Sequence, residues 1–128
     1  MNEPSRIGLT PNTDAQLDEL LADLNPEPGT EGVKLIKFDI YRLAVAIGLN
    51  HAEIPQALGE KSTSSLRVTE LDPDGVLNLA VESSGLLPVD TSVYEFIERL
   101  AERGISEMYA AYQQTGQLAL DRYFGEKA

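Results

Sequence analysis

Two short stretches hold the side chains best suited to grip an anionic partner: Arg6 and Thr10 in RIGLT, and Lys34, Lys37 and Arg42 in KLIKFDIYR. Arginine and lysine neutralise phosphates, and a threonine hydroxyl can reach a phosphate or a base edge, so these five residues form the candidate contact set for DNA or a protein partner. Asp39 is the one opposing charge inside the second stretch, whereas Asp14, Asp18, Glu19 and Asp23 form an acidic run with no base. A nucleic-acid surface therefore requires the cations to share one face and these four carboxylates to point elsewhere.

Catalytic chemistry finds no comparable grouping. The single histidine, His51, follows a helix-ending glycine, and no cysteine or second histidine completes a metal site with it. Asp72 and Asp74 read as capping and turn residues, and Glu95, Glu98, Glu102 and Glu107 as a solvated helix face. Ser62–Ser65 has no base beside it to activate a nucleophile, and no glycine pattern matches a phosphate loop. The sequence predicts a protein without enzymatic activity, cofactor or metal.

Composition narrows the setting. The 128 residues suit one domain with its own core, and the absence of cysteine fits a reducing compartment. The N-terminus lacks the basic and apolar regions of a secretory signal, and no run approaches the ~20 apolar residues of a membrane helix, which predicts a soluble cytoplasmic protein. Twenty-one acids against ten bases leave a net charge of −11. That field repels phosphate backbones and argues for solubility, an acidic docking surface or DNA mimicry rather than general DNA affinity.

The elements that would position these residues follow from periodicity. Residues 1–5 read as a flexible tail, followed by a single domain over 6–128. Arg6–Thr10 alternates as a short strand with Ile7 and Leu9 on one side. Thr13-x-x-Gln16 reads as a capping box, and Leu17, Leu20, Leu21 and Leu24 make one helical stripe that Pro26 and Pro28 end. Lys37–Leu49 reads as a helix apolar on almost every face, hence the centre of the core.

Beyond it, His51–Leu58 is broken by Pro55, Gly59–Ser65 reads as a loop, and Leu66–Leu71 as a second short strand or an extended connection. Asp72-Pro73 predicts a helix start and Ser83-Ser84-Gly85 its end. The Asp90/Thr91/Ser92 cluster opens a long helix that keeps phase across Gly104 and stops at Gly116. Gln117–Phe124 reads as a short closing helix. The fold class is mainly α, with five or six helices and one or two very short strands.

RIGLTPNTDAQLDELLADL followed by FDIYRLAVAIGL resembles the opening of ribbon-helix-helix proteins, in which a short strand pairs across a dimer and two helices follow. The chain also resembles the small helical proteins that accompany bacterial DNA phosphorothioation systems. Their F-x-x-x-R/F-A-x-A-x-G helix is matched by Phe38, Arg42, Ala44, Ala46 and Gly48, and their acidic, Ala/Gly-containing C-terminal helix by Glu95–Tyr109. The second resemblance implies an accessory protein of a DNA-modification or defence system, acting through protein partners and only weakly on DNA by itself. The first implies a homodimeric regulator that reads DNA through Arg6, Thr10 and Lys34, Lys37 and Arg42. The proline-rich connection over residues 25–35 is longer than the compact turn of such dimers. An anionic inhibitor that imitates phosphates is the third reading.

Overall fold

The densest packing lies where two helices cross by backbone rather than by side chain. In a computed structural model that describes residues 3–24, 36–51, 53–60 and 62–116, helix α2 (Lys37–Asn50) runs antiparallel to helix α5 (Val93–Thr115). A Cβ on Gly104 would lie 2.1 Å from the Ala44 carbonyl oxygen, and one on Gly48 would lie 2.6 Å from that of Leu100. Only hydrogen fits at those two points. Gly104, which costs helix propensity in isolation, is thus the residue that lets α2 and α5 close on each other.

Around this crossing the other elements complete one hydrophobic core. Ile40, Tyr41, Ala44, Val45 and Ile47 of α2 meet Phe96, Ile97, Leu100, Ala101, Ile105 and Met108 of α5 in one buried cluster. Helix α1 (Pro11–Leu24) adds Leu17 and Leu20, and α4 (Val76–Ser84) adds Val81. The many-sided apolar pattern of α2 is explained by this position, since α5, α1 and α4 all pack against it. Among the described residues the chain is mainly helical, with five helices and one two-stranded sheet in a single compact domain.

The sheet pairs β1 (Arg6–Ile7) antiparallel to β2 (Leu66–Arg67), with Arg6 opposite Arg67 and Ile7 opposite Leu66. Leu66–Leu71 is thus a strand followed at once by the single-turn helix α3 (Val68–Leu71). The strand partner that a ribbon arrangement would take from a second molecule lies in the same chain.

Several boundaries differ from the sequence reading, each for a local reason. Helix α1 starts at Pro11 rather than after Thr13: the Thr10 carbonyl accepts the Asp14 amide at 2.8 Å, and proline fits the first helical position. The Thr13–Gln16 capping box does not form, and the buried Gln16 Oε1 has no hydrogen-bond partner. Helix α4 starts at Val76, after a left-handed Gly75, yet Asp72 still caps it by accepting the amides of Leu77 and Asn78 at 2.9 and 3.0 Å.

The expected tail over residues 1–5 is corrected for its described part. Both Glu3 carboxylate oxygens accept amides at the start of α5, from Val93 and Tyr94, each at 2.9 Å. A carboxylate there satisfies orphan donors and complements the helix dipole. Ser92 caps the same helix as predicted, accepting the Glu95 amide, and a left-handed Gly116 ends it. The closing helix expected over Gln117–Phe124 lies outside the described residues.

Candidate functional site

The five candidate contact residues do not come together as one basic face. Lys34 lies outside the described residues. Lys37 extends from the first turn of α2 onto α1, where its Nζ lies 3.2 Å from Asp14 Oδ1 and 3.4 Å from Asp18 Oδ1. These belong to the acidic run that a nucleic-acid surface required to point elsewhere, so the charge of Lys37 is cancelled where it stands.

Arg42 is likewise committed to the fold. Its Nε donates to the Leu71 carbonyl at 2.9 Å and its Nη2 to that of Glu70 at 3.2 Å, satisfying the end of α3. The guanidinium also stands 5.8 Å from the centroid of the Phe38 ring and 3.5 Å from Asp39 Oδ1. Thr10 is buried, and its hydroxyl donates to Glu102 Oε2 at 2.9 Å. It can read no groove. Of the four described candidates only Arg6 faces solvent without an ion-pair partner among the described residues.

A polar cluster missed by the sequence reading explains what holds Thr10. Glu98 and Glu102, read as part of a solvated face, turn toward the segment between β1 and α1. Glu98 Oε2 accepts the Gly8 amide at 2.9 Å. Glu102 accepts the Thr10 amide at 3.1 Å and the hydroxyls of Thr10 and Thr13 at 2.9 and 2.7 Å. From α2, the buried Tyr41 hydroxyl donates to the Gly8 carbonyl at 2.8 Å. Together with the Thr63 amide, which donates to the Leu9 carbonyl at 2.8 Å, these bonds anchor the backbone of residues 8–10 beyond the end of β1.

Burial is the main influence on these groups. It raises the pKa of Glu98; the Ser62 hydroxyl and the Gly8 amide pull it back, and the nearby Glu95 and Glu102 charges push it up again. Tyr41 is raised well above its ordinary value by burial and then by the Glu98 and Glu102 charges. One signal was available: Glu98 and Glu102 border the apolar stripe of Ile97, Ala101 and Ile105 instead of lying opposite it. Within the cluster the donors and acceptors are matched to one another, and Glu102 also lines a cleft of about 320 Å3 with Arg99, Arg103 and Ser106. The chemistry of the cluster is anchoring.

His51, at the end of α2, is exposed and pairs through Nε2 with Glu107 Oε1. Among the described residues no group of histidines and carboxylates is placed to hold a metal ion, and no helix is long and apolar enough to cross a membrane. Two surface features stand out from the rest. Arg6 and Arg67 face solvent side by side on the strand pair, and Val76 and Leu79, one turn apart on α4, are 65 % and 64 % exposed. No family model, curated protein or solved structure matches the chain.

Proposed function

We propose that this protein is a non-enzymatic interaction protein that works by docking onto a protein partner, as an accessory of a bacterial DNA-modification or defence system. The observation that carries the reading is the outward apolar face of α4. Val76, Leu79 and Ala80 are exposed, while Val81 alone of that helix is fully buried. Large apolar side chains presented together on a helix are the usual anchor of a protein contact. Exposed Glu70, Asp74 and Glu82 lie close by in sequence, and the chain carries −11 overall, so the complementary partner is an apolar surface flanked by basic residues. Proteins that handle DNA carry such basic surfaces. The resemblance of Phe38–Gly48 and Glu95–Tyr109 to the phosphorothioation accessories supports the choice of system.

Direct DNA contact by this protein alone is disfavoured, because Lys37 is paired with carboxylates of α1 and Arg42 with carbonyls of α3. Reconstitution with the proteins of a phosphorothioation complex tests the proposal. A complex of defined stoichiometry is expected by light scattering, and Val76→Glu or Leu79→Glu is expected to abolish it without changing the melting temperature. Tight, sequence-specific duplex binding by the purified protein at physiological salt would overturn the reading in favour of a regulator.

A further inference from the structure

The strand pair sets Arg6 directly opposite Arg67. Since Ile7 and Leu66 point into the core, alternation puts both arginines on the solvent side of the two-stranded sheet. Like charges directly opposed across a ladder are destabilising. In a chain with twice as many acids as bases, neither arginine has an ion-pair partner among the described residues. Lys37, Arg42 and Arg103 by contrast all contact groups within the fold, Arg103 through the Glu53 carbonyl. Neither the Arg6 nor the Arg67 charge is neutralised by an ion pair among the described residues.

Both arginines line a cleft of about 420 Å3 between the strand pair and the start of α5, a volume in the range of small-ligand pockets. Ser5 and Thr69 add hydroxyl groups, and Pro4, Val68 and Tyr94 add apolar surface. Glu3 is the one carboxylate in the lining, and both of its oxygens already accept the first amides of α5. Its charge is therefore set against the positive end of that helix. We infer that this cleft is an oxyanion site, which takes a small organic anion with its phosphate or carboxylate between the Arg6 and Arg67 guanidinium groups and its apolar part against Val68 and Tyr94. Planar guanidinium forks match both kinds of oxyanion, and two of them flanked by hydroxyl donors suit one anionic group better than an extended phosphate backbone. The cleft shares no residue with the exposed face of α4.

Titration of the 15N-labelled full chain with inorganic phosphate, phenyl phosphate and acetate, at constant ionic strength set with chloride, tests the site. Saturable shifts are expected at the amides of residues 5–7 and 67–69. Tighter binding of the two phosphates than of acetate assigns the natural ligand to the phosphate esters, and the reverse order assigns it to the carboxylates. Phenyl phosphate is expected to bind more tightly than inorganic phosphate through the apolar wall. Arg6→Gln and Arg67→Gln should each weaken phosphate binding about tenfold or more, the loss of one charge-assisted fork. Arg99→Gln, on α5 outside the cleft, should leave it unchanged. An unaltered melting temperature in Arg6→Gln and Arg67→Gln shows that the loss is one of binding. Absence of saturable shifts up to tens of millimolar with every probe overturns the proposal, as do equal affinities in Arg6→Gln, Arg67→Gln and the parent chain.

Discussion

Where α5 crosses α2, Gly104 and Gly48 leave no room for a side chain, and the Ala44 and Leu100 backbones fill the space. Where the same helix meets residues 8–13, Glu98 and Glu102 span the gap and take up two backbone amides and two hydroxyls. One contact works by dispersion and exclusion of water, the other by charge-assisted hydrogen bonds at the edge of the core. A helix can thus serve an apolar neighbour by losing side chains and an extended neighbour by supplying hydrogen-bond acceptors. The first contact is therefore expected to set global stability and the second the placement of the N-terminal segment.

The largest effect should come from charging the crossing. Ala44 and Ile40 are 0 % and 2 % exposed, and Ala44→Asp or Ile40→Asp would bury an unpaired carboxylate, at a cost above about 4 kcal/mol. Circular dichroism should report an unfolded chain; a cooperative melt at the parent temperature would show that the crossing is not the stabilising contact.

Next is Gly104→Ala. The added Cβ meets backbone atoms that cannot rotate away, so α2 and α5 must separate. A net loss of about 2 kcal/mol is expected in urea unfolding, despite the ~1 kcal/mol that alanine ordinarily gains over glycine in a helix. Gly48→Ala, with 2.6 Å rather than 2.1 Å to its nearest neighbour, should cost less. A stabilised Gly104→Ala chain would remove close approach from the account of this interface.

The polar contact should break more gently. Glu102→Ala strands the Thr10 amide and the Thr13 hydroxyl and leaves the Thr10 hydroxyl only Thr13 Oγ1 as acceptor, for a loss of about 1–3 kcal/mol, and a cycle with Thr13→Val should show coupling between the two positions. Hydrogen exchange of the residue 8–10 amides should quicken more than that of the α2 amides. Equal acceleration in both would mean that the two contacts are not separable.

Glu98 gives the polar contact a pH dependence that the crossing lacks. Its folded pKa is raised, chiefly by burial, so between the ordinary glutamate value of about 4.3 and the raised value the folded state binds more protons than the unfolded state. Its contribution to stability is accordingly greatest below that window and falls as pH rises through it. Glu98→Gln should flatten this part of the stability profile; an unchanged slope would place the proton elsewhere.

The smallest effect belongs to Lys37. Its bridges to Asp14 and Asp18 lie at the surface, and Lys37→Gln should change stability by no more than about 0.5 kcal/mol.

Helix α2 was legible because its apolar residues fall on almost every face, a pattern that only a central helix can satisfy. Ser92 and Gly116 bound α5 where cap chemistry predicts, and Gly85 ends α4 likewise. These features are local, since each depends on residues within a turn or two of one another. Thr10 shows the opposite case: its type and place beside Arg6 suit a contact residue, but its fate was decided by Glu102, 92 positions away. Arg6 could be picked out as a cation, whereas its pairing with Arg67 depends on the register of two strands 60 residues apart in the chain. Glu3 carried no signal at all until α5 was placed beside it.

The helical class, most element boundaries, the central place of α2 and the acidic character of the whole follow from the order of residues alone, because periodicity, caps and charge are properties of neighbours along the chain. That Gly104 is a contact rather than a weak point, that Lys37 and Arg42 are engaged by groups of the fold, and that two arginines meet on one small sheet emerges with the assembled core. Those outcomes depend on which backbones approach within a few ångströms, and that distance is set by the packing of the entire core.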